Sequence, residues 1–190
     1  SAAVRKDGTL WLWGKQVGEF AANRHPTKVA SNVATIACGD SAFLVLTKDN
    51  QLWSSADKTN ILAKNVAQIA AGRAHFAYIN QKGELYTFGL NNFGQLGDHS
   101  NTDKVDPVLI DTDVASVSAG SSHTLYVKTD HSLWTTGKND FGQLGDGTNK
   151  SRRRAASVME QVAAAYAGSH HSLVLKTDGT VWGFGKNDSM

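Results

Sequence analysis

Apolar and polar residues alternate along this chain in short runs. In His123-Thr124-Leu125-Tyr126-Val127-Lys128 one set holds His, Leu and Val and the other Thr, Tyr and Lys, a period of two that predicts a strand with one buried face. His75/Ala77/Ile79, His171/Leu173/Leu175 and Ala42/Leu44/Leu46 repeat the pattern. Two turn residues follow each run, Asp7-Gly8, Asp49-Asn50, Lys82-Gly83, Asp130-His131 and Asp178-Gly179, and lead into a second strand of the T-L-W or S-L-W type. Asp-Gly supplies the positive φ angles of a two-residue type I′ hairpin, so these pairs predict hairpins. Before each hairpin lies a strand of small residues: Val33–Cys38, Val66–Ala71, Val114–Ala119 and Val162–Ala167. Small side chains suit an innermost strand, where several sheets converge. A fourth strand is predicted to begin at Pro107 and at Pro26, each 7 residues before the Val of the next small-residue strand. Proline cannot donate to a ladder and belongs at a strand start or an edge.

These elements recur in register. Residues 119–140 and 167–188 share 13 of 22 positions, and 89–98 matches 137–146 at 8 of 10. The glycines of A-G-x-x-H, Gly39, Gly72, Gly120 and Gly168, are spaced 33, 48 and 48 apart. The short interval arises after Trp53, where the G-x-N-x-x-G-Q-L-G loop of 89–97 and 137–145 is missing; Gly14 to Phe20 keeps a worn form of it. A period of this length predicts a tandem array in which each copy is one supersecondary unit. The units are 1–42, 43–75, 76–123, 124–171 and a partial 172–190. The fold class is all-β, a β-propeller of four-stranded antiparallel blades. Five hairpins but four innermost strands point to about four blades and an incomplete segment of a longer array, whose open strand edges would be a liability if the segment stood alone.

The pattern A-G-x-x-H-S-L-x-L-K-x-D-G-x-L-W-x-W-G-x-N-x-x-G-Q-L-G-x-G-T, met nearly in full by 119–148 and 167–187 and in part by 71–97, resembles the regulator of chromosome condensation (RCC1) repeats. The resemblance implies a β-propeller, usually of seven blades, so that this chain is expected to be an incomplete segment of a seven-bladed ring. Ala42 in place of His, the missing loop after Trp53 and Gln16-Val17 depart from it.

Composition narrows the chemistry. A net charge of +2, with basic residues scattered, argues against nucleic-acid binding. No apolar run is long enough to span a bilayer, so no membrane insertion is expected. Cys38, the single cysteine, replaces the Ala of other copies and is expected to be a small core residue. Catalytic motifs of the P-loop, zincin and nucleophile-elbow types are missing, so no enzyme and no cofactor are expected. His75, His123 and His171 are read as structural, because one per blade would stand too far apart to share a metal. Trp11, Trp53, Tyr86, Trp134 and Trp182 are read as packing residues. Phe93 and Phe141, in Gly-rich loops read first as tight turns that pack between blades, and the basic cluster Lys150, Arg152, Arg153 and Arg154, read first as a solvated loop, are the candidates for partner contact; the alternative for the cluster is contact with an acidic partner or phosphate. The function expected is a protein-interaction scaffold, of bacterial or viral type, extracellular, surface or virion rather than cytoplasmic. The alternatives are a guanine-nucleotide exchange factor for a small GTPase, which the resemblance brings in, and a structural subunit pairing with neighbouring chains.

Overall fold

A computed structural model describes residues 1–14, 23–40, 42–56 and 60–187, and among them every regular element is a strand. The first sheet pairs β1 (Ala2–Val4), β2 (Leu10–Gly14) and β3 (Asn23–Ala30), and the second β4 (Val33–Cys38), β5 (Phe43–Thr47) and β6 (Leu52–Ser54). The third holds β7 (Val66–Ala71), β8 (His75–Asn80), β9 (Leu85–Gly89) and β10 (Lys104–Asp111); the fourth holds β11 (Val114–Ala119), β12 (His123–Lys128), β13 (Leu133–Gly137) and β14 (Arg152–Met159). β15 (Val162–Ala167), β16 (His171–Lys176) and β17 (Val181–Gly185) form the fifth. All pairings are antiparallel, in chain order within each sheet, as in the blades of a partial propeller. The worn loop of 15–20 lies outside the described residues. After Trp53, where the long loop is missing, a single bridge from Leu52 to Ala63 stands in for the outer strand.

Among the described residues the core is divided. Four apolar clusters each lie between two successive sheets: Leu10 and Val4 meet Phe43 and Val45, Leu44 and Leu52 meet Phe76 and Tyr78, Ile79 and Leu85 meet Val117 and Tyr126, and Leu125 and Leu133 meet Ala165 and Val174. Each sheet depends on its neighbours for burial, the signature of a repeat array.

Four expectations change. The middle strands β8 and β12 are buried on both faces rather than one, because a sheet flanks them on each side. In β16 the His171/Leu173/Leu175 set expected inside is exposed, while Ser172 and Val174 are buried, since that sheet has a described neighbour on one side only. The hairpins are not type I′, which needs two positive φ angles. Each has one such residue, Gly8, Asn50, Gly83, His131 or Gly179. Gly8 N donates to Arg5 O and Arg5 N to Thr9 O, both at 2.9 Å, closing a type I turn followed by one left-handed residue. Asn and His tolerate that single position, which is why Asn50 and His131 serve where Gly stands elsewhere. Finally, Pro107 and Pro26 do not start their strands. Pro107 lies inside β10, at the bulge between Lys104 and Val108 on the outer edge, where a ladder donor is dispensable.

Candidate functional site

In an antiparallel blade the turn from first to second strand and the loop from third to fourth emerge at the same end. The A-G-x-x-H turns and the G-x-N-x-x-G-Q-L-G loops therefore share one face, and the hairpin tips occupy the other. Around the axis the turns are tied backbone to backbone: Asp40 N donates to Arg73 O at 2.8 Å, Arg73 N to Ser121 O at 3.3 Å and Ser121 N to Ser169 O at 3.2 Å. Glycine is required there, since a Cβ on Gly72 would lie 2.2 Å from the His75 ring and 2.3 Å from Gly120 O. Cys38, expected in the core, is exposed at the rim of the axial cavity, beside Gly39, Asp40 and Arg73.

The histidines organise the boundaries between sheets. Thr124 Oγ1 donates to Gln95 O at 2.7 Å and so accepts, at 2.9 Å, from Nε2 of His75. Ser172 repeats the arrangement, reaching Gln143 O at 2.7 Å and His123 Nε2 at 3.1 Å. Burial holds His75 down to about 3 and His123 to about 4, so both are neutral and the Nε2–H tautomer is fixed by the hydroxyl. Among the described residues no group of three or more His, Cys, Asp or Glu side chains could hold a metal.

Each long loop is built on a buried Asn. Asn139 Oδ1 accepts from Leu144 N at 2.9 Å, and its Nδ2 donates to Asp146 Oδ1 at 3.0 Å, Thr148 O at 2.9 Å and Lys150 O at 3.2 Å. Asn91 does the same with Leu96, Asp98 and Thr102. Burial opposes ionisation of Asp146, but bonds from Thr148 and Asn139, with Arg152 at 2.6 Å, outweigh it and hold the carboxyl below the usual range.

These loops bring together residues that stand apart in sequence. Phe93 is covered by Lys138 of the next sheet, 4.7 Å from the ring centre, and Phe141 by Lys186, 5.3 Å away, with the His170 ring at 5.6 Å. Gly94, next to Phe93, packs so closely on β14 that a Cβ would lie 2.3 Å from Arg153 Cα, and His99 N donates to Arg153 O at 2.8 Å. Arg152, Arg153 and Arg154 were expected in a solvated loop; they form the first three residues of β14. The loop of the preceding sheet leans on them, and Arg153 and Arg154 remain exposed. Lys150 is exposed at the end of the Phe141 loop. Residues 137–154 carry five cations and two carboxylates, Asp140 and Asp146, which pair with Lys138 and Arg152. Sequence reasoning missed Lys138 and Lys186. The available signal was the Lys of G-K-N, present in the two copies that follow a Phe-bearing loop and replaced by Leu90 in the copy that does not.

Models of the regulator of chromosome condensation (RCC1) repeat match residues 82–127, and 66–95, 114–143 and 161–189, together more than half of the chain. The mitochondrial RCC1 domain-containing protein RUG3 of Arabidopsis thaliana is 25% identical over 58% of this chain and 33% of its own length. The E3 ubiquitin-protein ligase highwire of Drosophila melanogaster is 37% identical over 55% of this chain and 2% of its own length. Among solved structures, Prp20p of Saccharomyces cerevisiae superposes with a TM-score of 0.81 at 19% identity, over 97% of this chain and 55% of that one, a likeness of fold. The chain thus spans a third or less of these two curated relatives. With its repeats, its sheets and these matches in agreement, the chain belongs to the RCC1 repeat family.

Proposed function

We propose that this chain is a non-enzymatic protein-interaction module whose loop-bearing face receives an acidic partner protein. The contact residues are Phe93, Phe141, Lys150, Arg152, Arg153 and Arg154, joined by Lys138 and Lys186. The observation that carries this reading is the convergence of Phe93 with Arg153 across Gly94: a loop aromatic of one sheet and an exposed cation of the next form one patch. Aromatic and Arg side chains are the residue types that anchor interfaces, and a patch of net positive charge, with Lys138 and Arg152 paired to Asp140 and Asp146, steers acidic surfaces. The yeast structure is reported with that protein's binding to Gsp1p and histones, so a propeller of this fold takes proteins as ligands. Regular spacing with no interval longer than 48 supports a scaffold over a nucleotide-exchange factor. Short Asn/Asp/Thr/Lys-rich repeats support a surface, secreted or virion component over a cytoplasmic one.

Immobilised poly-L-glutamate provides the test. Binding by the wild-type chain should weaken with salt and fall about tenfold or more in K150E/R153E/R154E, with the thermal midpoint unchanged. Equal binding by the two proteins would refute the acidic-partner reading.

A further inference from the structure

In the fourth sheet β11 stands at the axis and β14 at the opposite end of the strand order, so the free edge of β14 points outward from the axis. Further sheets at either end of the array would stand beside the first or the fifth sheet and leave this edge uncovered. Among the described residues β14 pairs with β13 on its inner side, and on its outer side with the isolated bridge from Asp98 to Arg154 alone. His99 N donates to Arg153 O at 2.8 Å beside that bridge. From Ala155 to Met159 the outer edge pairs with no described strand.

The other outer strands carry a guard that β14 lacks. Pro26 interrupts β3 and Pro107 interrupts β10, and proline offers no N–H to an incoming strand. At the offset of 48 the residue that matches Pro107 is Ala155, each 7 residues before the Val that opens the next sheet. The two lie in corresponding bulges: β14 pairs Ala156 with Thr135 and Arg152 with Gly137, which leaves Ala155 outside the ladder to β13. β10 also carries Asp106 and Asp111, whereas β14 has no acid and begins with three arginines, of which Arg153 and Arg154 are exposed. Trp134 and residues 151–157 line an open groove of about 640 Å³ along the strand. Half-buried Ala155 and Ala156 put little side chain in front of the backbone there.

We propose that an extended acidic segment of the partner adds to the outer edge of β14 as a fifth strand of the fourth sheet. This rests on the acidic-partner reading above and supplies the form in which the acid arrives. Backbone bonds to Ala155–Met159 hold the segment, and Arg153 and Arg154 select acidic side chains over basic ones. The molecule holds its own precedent, since Asp98, an acid in a loop of the preceding sheet, already bridges to this edge at Arg154.

Fluorescence anisotropy with two labelled peptides of about eight residues and equal charge, one alternating Glu and Val and the other Glu and Pro, tests this. The Glu-Val peptide can pair as a strand; the Glu-Pro peptide lacks every second N–H and cannot. The wild-type chain should bind Glu-Val about tenfold or more tightly than Glu-Pro, A155P should lose that preference, and K150E/R153E/R154E should lose both peptides. Isotope-edited infrared spectra of the bound Glu-Val peptide, labelled at its carbonyls, should show a β-sheet amide band. Circular dichroism checks that A155P keeps its strands, as the third sheet does with Pro107 at the same place; should it not, the infrared band and the peptide contrast in the wild type decide. Equal affinity of the wild type for both peptides, an unchanged preference in folded A155P, or no β-sheet band would overturn strand addition and leave the acidic-partner reading standing. A wild type that binds neither peptide nor poly-L-glutamate would overturn both.

Discussion

His75 Nε2 lies 2.9 Å from Thr124 Oγ1 across the boundary of the third and fourth sheets, and that hydroxyl donates its own hydrogen bond to Gln95 O at 2.7 Å. One side chain thus ties together the second strand of one sheet, the loop of the same sheet and the second strand of the next. Thr124→Val keeps the shape but removes both bonds, leaving a buried ring nitrogen and a carbonyl without this partner; a loss of about 2–3 kcal/mol is expected. Thr124→Ser, the residue used at the next boundary, should cost under about 1 kcal/mol. Urea unfolding of the two variants checks the difference.

The same histidines set an acid limit on stability. His75 is held near 3 and His123 near 4, against an ordinary value of 6.5, so the unfolded chain takes up protons that the folded chain refuses. Their contribution is complete above about pH 6.5 and is lost as pH falls toward the folded values, at about 1.4 kcal/mol per pH unit for each ring once well below 6.5. The turn carboxylates of Asp7, Asp49, Asp130 and Asp178 are lowered below 3.8 by hydrogen bonds, so they act only at lower pH. Urea midpoints between pH 7.5 and 4.5 should decline, and His123→Gln should make that decline shallower.

Two glycines should respond oppositely to alanine. At Gly72 the new Cβ meets a ring and the Gly120 carbonyl inside 2.4 Å, and a backbone shift would break the axial hydrogen bonds; loss of more than about 4 kcal/mol, or no folded protein, is expected. At Gly147 nothing lies within 4 Å, and the penalty is that of a positive φ, about 1–2 kcal/mol. Thermal midpoints of the purified variants separate the two cases.

Asn91 Nδ2 donates to Asp98 Oδ1 at 2.9 Å, and the Asp98 side chain is nearly buried. Asn91→Asp replaces that donor with a second carboxylate, destabilising the loop by about 2–4 kcal/mol at pH 7. Protonating one carboxyl relieves the repulsion, so the difference from wild type should shrink toward pH 4. Limited proteolysis within residues 89–103 at the two pH values reads it directly.

Much of this molecule is legible in its residues. The offset of 48 between Gly120 and Gly168 gave the array, and the period of two in His123–Lys128 gave the strands. Alternation within one strand does not reveal how many sheets flank it, so burial of Thr124 and Tyr126 was hidden until the neighbours were in place. Asp-Gly fits two hairpin types, and Asn50 and His131 at the left-handed position decide between them. The departure at Ala42 also becomes intelligible. The hydroxyl position it packs near is Phe76, and the second sheet lacks the loop whose Gln carbonyl would take a hydroxyl proton. An apolar pair stands where the polar relay would be incomplete. The candidate patch was half legible: Phe93 and Arg153 each stood out, but their meeting depends on the lean of one sheet's loop on the next sheet's outer strand, which no local pattern encodes.

Whether the loop-bearing face is the binding face is tested most directly by hydrogen exchange of the wild-type chain with and without saturating poly-L-glutamate. Slowed exchange should appear in residues 89–103 and 137–154 and leave the hairpin tips at 5–9, 47–51 and 128–132 unchanged. Protection of the tips, or none in the loops at saturation, would contradict it.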